Sequence, residues 1–197
     1  MTFLVYFSFI YIKTLNDMFN WFKKKKKEEY KPNFDPSDLS VSKLKKGAFL
    51  DYNLETWQVT AQYEYDWGNE YFTDEFQLKN IDQVYYLYLQ EDDELQCQWL
   101  QKINPRQIDP QLTQHIKTHD VPPSEILYEG TRYFRGRESV GYFRNIENDN
   151  WEEFIVWVYY DEKDEKVMHI ERWDEDEFEA TVGIILKEYE FSNIILP

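Results

Sequence analysis

Hydrophobic and polar positions alternate along most of this chain in short runs that predict strands. Thr56 to Tyr65 carries Trp57, Val59, Ala61 and Tyr63 at every second position, the period of one face of a pleated strand. Before it, Ala48 to Tyr52 reads as a strand. After it, Asp66-Trp67-Gly68-Asn69 supplies turn chemistry, with Gly68 free to take positive φ. Phe72 to Leu78, Gln83 to Gln90 and Leu95 to Ile103 follow as strands, with the acidic Glu91-Asp-Asp-Glu94 breaking the last two apart. The segment from Asn104 to Ser124 differs in kind. It holds Pro105, Pro110, Pro122 and Pro123, and Gln111 to His119 fits a short helix with Leu112 and Ile116 inward. Strand patterning resumes in Ile126 to Phe134, Glu138 to Arg144, Glu152 to Tyr160, Lys166 to Trp173 and Phe178 to Tyr189. Gly183 within the last of these predicts a bend or bulge.

The two runs look alike. Each opens on a glycine entry, Leu44-Lys-Lys-Gly47 or Leu127-Tyr-Glu-Gly130, and each continues through a tryptophan-bearing strand and an acidic turn. The predicted fold is therefore mainly β: two related antiparallel β-meanders, barrel- or sandwich-like, joined by a short, partly helical connector. The boundaries are 1–34 for an N-terminal leader and linker, 35–104 for the first half, 105–124 for the connector and 125–197 for the second half.

Composition supports this reading. Among 197 residues are 7 Trp, 16 Tyr and 14 Phe, enough large rings to fill a core in a chain of this length. Cys97, the single cysteine, has no intramolecular disulfide partner; its alternating neighbours place it on a buried strand face as an inert thiol. The absence of a disulfide framework points to a reducing compartment, so a cytoplasmic protein is expected.

Net charge is −16 and is unevenly spread. Residues 1–31 hold seven lysines against three acidic residues, net +4, whereas residues 32–197 hold 15 basic and 35 acidic residues, net −20. Such a body repels phosphates, so nucleic acid is excluded as a partner and another protein is expected. Residues 3–12 are mostly apolar but too few to span a bilayer, and translation from Met18 is the expected start. Phe19, Trp21 and Phe22, followed by Lys23, Lys24, Lys25, Lys26 and Lys27, form a candidate peripheral contact with an anionic membrane surface.

Motifs that carry chemistry are scarce. His115 and His119 stand four apart with Asp120 adjacent, half of a zinc site. Ile116 occupies the place where a zinc protease would carry its glutamate, and His169 lies in the other half, so no metal is expected. The acidic clusters Glu91 to Glu94, Asp161 to Glu165 and Asp174 to Glu179 lack the glycine of a calcium loop and read as charged hairpin tips. Gly130-Thr-Arg-Tyr-Phe-Arg-Gly136-Arg reads as an exposed strand and a tight turn rather than an anion cradle. Nucleophile elbows and cofactor fingerprints are absent, and no cofactor is expected.

Several of these segments together resemble the bacterial domain-of-unknown-function family 4178. They are Met18-Phe-Asn-Trp-Phe followed by five lysines, Leu44-Lys-Lys-Gly47, Thr56-Trp-Gln-Val59, Tyr63-Glu-Tyr-Asp-Trp-Gly68, Glu91-Asp-Asp-Glu94, Trp157-Val-Tyr-Tyr-Asp161, Glu177-Phe-Glu-Ala-Thr-Val-Gly183 and the closing Phe191 to Pro197. The resemblance implies a β-rich domain and brings no activity to any residue. The leading expectation is a non-enzymatic binding or scaffold module. The alternative is a hydrolase whose carboxylate pair is assembled between the two halves. Carboxylates confined to hairpin tips favour the module, and a concave pocket with two buried, converging carboxylates favours the enzyme.

Overall fold

The computed structural model describes residues 39–91 and 94–197. The candidate membrane-contact residues Phe19 to Lys27 and the expected start at Met18 lie outside them. Residues 39–197 form one compact unit of eleven antiparallel strands with two short helices. The first meander runs β1 (Phe49–Tyr52), β2 (Glu55–Asp66), β3 (Phe72–Lys79), β4 (Val84–Glu91) and β5 (Leu95–Ile103). The connector holds α1 (Pro105–Ile108) and α2 (Leu112–His119). The second meander runs β6 (Glu125–Tyr128), β7 (Thr131–Asn145), β8 (Glu152–Asp161), β9 (Lys166–Arg172) and β10 (Phe178–Leu186), and β11 (Ser192–Ile195) follows.

The sheet order is β11-β1-β2-β3-β4-β5-β10-β9-β8-β7-β6, with a further pairing of β2 to β7. That pairing, Tyr63 opposite Asn145 through Asp66 opposite Tyr142, joins the two ends of the sheet. The strands β2-β3-β4-β5-β10-β9-β8-β7 therefore form one closed ring of eight, and β1, β11 and β6 hang outside it. The two meanders share a single barrel rather than making one each.

Closure depends on a bulge in each long strand. In β2 the register steps from Val59 opposite Leu78 to Ala61 opposite Gln77, leaving Thr60 as the extra residue. The Thr60 hydroxyl is held to Gln77, at 2.8 Å from Oε1. An extra residue turns every later side chain to the other face. Trp57 and Val59 thus sit in an outer core, while Tyr65 packs with the inner one. The single face predicted for Trp57 through Tyr63 is corrected on this ground. In β7 the step lies between Arg135 and Arg137, so Gly136 is a bulge inside a continuous strand and not a tight turn. A strand predicted from Ile126 to Phe134 is instead two strands, β6 and β7, joined at Glu129-Gly130, both with positive φ (48° and 77°). That is the mirror-image two-residue hairpin turn, which glycine favours.

Three cores result. One lies inside the ring, where Tyr88, Leu100, Phe154, Val156, Val158 and Val167 meet. A second covers the outer face of the first meander, from Val41 and Leu44 through Trp57, Phe76, Leu87, Cys97 and Trp99 to Phe191 and Ile194. A third lies under the connector, where Leu112 and Ile116 of α2 pack on Trp157, Tyr159, Met168 and Ile170. Central strands buried on both faces explain the nearly unbroken apolar run of β4. Cys97 is fully buried in the first-meander core, and burial pushes its thiol up to about 12, the inert state expected.

Two expectations for the C-terminal part change. The last predicted strand stops at Leu186 and gives way to a 3-10 turn at Glu188–Glu190, and β11 is an additional short strand against β1. Gly183 is not a bulge: register runs unbroken on both sides of it, to Leu100 and to Val167. Its role is space. A Cβ there would lie 1.9 Å from the Trp99 carbonyl oxygen. Gly183→Ala is expected to destabilise the protein by about 3 kcal/mol or more, because a neighbouring strand and not a side chain must move. Gly130→Asn, which keeps the left-handed turn, should cost less than about 0.5 kcal/mol. Urea unfolding of the two variants checks this; equal losses would count against the close strand approach.

Candidate functional site at the barrel mouth

Closing eight strands leaves an interior just wide enough for side chains or one small ligand. Here the inner core fills part of it, and a cavity of about 250 Å³ remains at one end. Every ring strand contributes to its wall: Tyr63 and Tyr65 from β2, Glu75 from β3, Tyr86 from β4, Lys102 from β5, Phe143 from β7, Glu152 from β8, Glu171 from β9, and Glu179 and Thr181 from β10. Trp173 and Glu177 of the β9–β10 turn complete the rim.

Two carboxyl groups are buried in this wall. Glu75 is 8% exposed and Glu171 is 7% exposed, and they come from different meanders. Glu75 stands across from Tyr63, and Glu171 across from Glu179. Burial pushes the Glu75 carboxyl up to about 7, opposed by the Lys102 charge and by a hydrogen bond donated from the Tyr65 hydroxyl. Burial pushes Glu171 up to about 8, and repulsion from Glu75 and Glu179 adds to it. Two such groups titrate as a pair, which retains at least one proton at neutral pH. The Trp173 indole N–H is turned toward Glu171 without closing a well-formed hydrogen bond.

The other charges in the cavity are organised around Lys102. Its ammonium lies 2.6 Å from Glu179 Oε2 and 5.3 Å from the centre of the Tyr86 ring. Burial disfavours that charge, but Glu179 more than offsets it, and the net shift is upward. Thr181, 5% exposed, stands across from both Lys102 and His169, and its hydroxyl has no hydrogen-bond partner. The aromatic wall is continuous: Trp173 stacks on Phe154 at 4.7 Å and meets Phe143 edge-on at 5.1 Å, and Phe143 packs against Tyr63 and Tyr65, each at 5.2 Å. Deeper in the ring, His169 is buried beside Tyr88 and Arg137, and burial lowers it to about 3, so it stays neutral.

The residues singled out from sequence go elsewhere. On α2, His115 is half-buried and His119 exposed, with rings stacked at 4.2 Å, and the His119 Nδ1 sits 2.9 Å from the His115 carbonyl oxygen. His169 faces the ring interior on β9, and among the described residues no group of three His, Cys, Asp or Glu is placed to hold a metal. Asp161 caps the β8–β9 turn by accepting from the Glu165 and Lys166 amides. The hairpin-tip reading of the cluster from Asp174 to Glu179 needs correction at its end, because Glu177 and Glu179 line the cavity. Glu75 and Glu171 were missed. In Thr73-Asp-Glu75-Phe-Gln77 and Val167-Met-His169-Ile-Glu171 the inward face is the more polar one, which in an open sheet would be the solvent face.

The raised carboxyls make stability pH-dependent. Their folded values exceed the usual 4.5, so the fold binds more protons than the unfolded chain between pH 4.5 and about 8, and stability falls as pH rises through that window. His169 acts on the acid side, its contribution being lost as pH falls below 6.5 toward 3. Wild-type Tm is therefore expected to decline from pH 6.5 to 8.5. Glu171→Gln should flatten that decline and recover on the order of 2 kcal/mol at pH 8.5. Thermal melts of both proteins across this range measure it, and a wild-type Tm constant over the window would contradict the buried pair.

Comparison with other proteins places the whole of this site inside a recognised region. The family described as Domain of unknown function (DUF4178) matches residues 45–188, which include every cavity residue. A relative titled "Uncharacterized protein" from Aquifex aeolicus (strain VF5) is 28% identical over 172 residues, covering 86% of this chain and 92% of that one. No solved structure matches. No helix among the described residues is long and apolar enough to cross a membrane.

Proposed function

For a chain that belongs to the DUF4178 family, we propose that the barrel mouth is a binding site for a small molecule and that Glu75 and Glu171 select it. The observation that carries this reading is a wall drawn from all eight ring strands, with a buried carboxyl pair and an unpartnered Thr181 hydroxyl facing the same cavity. Leaving polar groups buried and unsatisfied costs stability, and a ligand that supplies their partners recovers it. The volume of about 250 Å³ lies just under the usual range for drug-sized ligands, so the ligand is small. Placing the site on strands rather than loops fixes its geometry before the ligand arrives.

Thermal-shift screening of a fragment library against the full chain tests this. Hits that raise Tm for the wild type and lose that effect in the Glu75→Gln, Glu171→Gln double variant are expected. A library without a single such hit would remove the small-molecule site.

The buried pair also favours a second reading, a hydrolase in which one carboxyl protonates a leaving group while the other activates water. A carboxyl near pH 7 to 8 is suited to act as general acid at neutral pH. Under this reading a panel of chromogenic glycosides and esters shows turnover with a bell-shaped pH profile, and Glu171→Gln lowers the rate about 100-fold or more. Ligand binding without any turnover leaves the first reading in place and removes the second.

A further inference from the structure

The wall of the barrel mouth carries information about the charge and shape of its occupant, given the small-molecule reading on which this inference rests. Five glutamates line the cavity against a single lysine, Lys102. That lysine is already committed to Glu179 and to the face of Tyr86. It displays the recognition chemistry of the cavity in miniature: an ammonium held by a carboxylate at its tip and by an aromatic ring along its side. Glu75 and Glu171 have no such partner. Neither forms an ion pair among the described residues, although both are more than nine-tenths buried. The body as a whole, net −20 over residues 32–197, attracts cations and repels anions.

The acceptors present suit one kind of cation. Two carboxyl groups and the unpartnered Thr181 hydroxyl make three acceptors around one cavity, and a primary ammonium offers three donors. A bare metal ion is less well served, because among the described residues no three His, Cys, Asp or Glu side chains are placed to hold one. The remaining wall, Trp173 and Phe143 with Tyr63, presents ring faces suited to a short hydrocarbon body. At ~30 Å³ for a water-sized group, the cavity admits roughly eight heavy atoms.

We propose that the barrel mouth takes a small primary organic ammonium ion, its –NH3+ held by Glu75, Glu171 and Thr181 and its hydrocarbon part laid against the wall formed by Trp173 and Phe143. The proton that the carboxyl pair keeps at neutral pH must leave when the ammonium enters, so binding releases a proton and tightens with rising pH. The groups facing the pair are those that set this dependence. They are Tyr63 and Tyr65 of β2, the latter hydrogen-bonded to Glu75, Lys102 of β5 and Glu179 of β10, with Tyr86 of β4, Glu152 of β8 and Glu177 of the β9–β10 turn at the wall. β7 contributes the uncharged Phe143 here, with Arg137 deeper beside the neutral His169.

Calorimetric titration of the full chain with n-butylammonium chloride tests the proposal, using 1-butanol, sodium butyrate and tetramethylammonium chloride as comparison probes. Runs at pH 6.0, 7.5 and 8.5 in buffers of different ionisation enthalpy report both affinity and proton release. The expected result is that n-butylammonium binds more tightly than the other three, about tenfold or more tighter at pH 8.5 than at pH 6.0. About one proton should be released per ligand at pH 7.5. Glu171→Gln should weaken it at least tenfold at pH 8.5, in a variant whose Tm shows that it is folded. Affinity independent of pH, or 1-butanol binding as tightly as n-butylammonium, overturns the ammonium assignment. If 1-butanol or butyrate binds instead and is displaced by the fragment hits, the small-molecule site stands without this ligand class. Silence of all four probes together with a fragment screen without hits overturns both.

Discussion

Everything distinctive in this molecule follows from four residue pairs between β2 and β7, Tyr63 to Asp66 against Asn145 to Tyr142. Without them the eleven strands would be one open, coiled sheet. Its inner face would be a solvated surface, on which Glu75 and Glu171 would be ordinary carboxylates. With them the same face becomes the lining of a closed ring. The bulges at Thr60 and Gly136 make the pairing sterically available, since each turns the far half of a long strand inward while its near half stays in an outer core. Arg144 reinforces the seam by reaching Glu64 across it, at 2.6 Å. Through the seam β2 also keeps β3 as its other partner, and β7 keeps β8 as far as Phe143, so the two ends of the ring are joined edge to edge.

Closure also sets the energetic character of the interior. An eight-stranded ring filled only with aliphatic side chains would be more stable than this one. Instead the inner face carries Glu75, Gln98, His169, Glu171 and Thr181, all buried, and several of their polar atoms are unpartnered. Such groups are costly to bury. The outer cores carry the compensating load, with Trp57, Phe76 and Trp99 on one side and Trp157, Tyr159 and Met168 on the other. The architecture thus separates its tasks. Apolar layers outside the ring hold it together, and the space within the ring is free to be polar at one end.

Much was legible in the sequence because strand formation is a local matter. Period-two aromatic positions, turn residues at Gly68 and proline-bounded α2 all act over a few residues, so the meanders and the connector could be read directly. The inertness of Cys97 followed from alternation alone. Errors concentrated where a single residue answers to a neighbouring strand rather than to its own sequence context. The bulge at Thr60 changes which face Tyr63 and Tyr65 present, and Gly183 is required by the approach of another strand rather than by its own conformation. Nothing in the residues beside Thr60 or Gly183 encodes those partners.

The candidate site marks the boundary between the two kinds of information. Sequence by itself determined that the chain is β-rich and that its body is strongly acidic; a carboxylate pair assembled from both halves was one alternative among its readings. Which two of 38 acidic residues would meet was decided only by the tertiary structure. Glu75 and Glu171 lie 96 positions apart on strands whose polar faces look solvent-exposed in isolation. Their burial, their raised proton affinity and their nearness are properties of a closed ring, because only closure removes water from a face that each strand alone would leave wet.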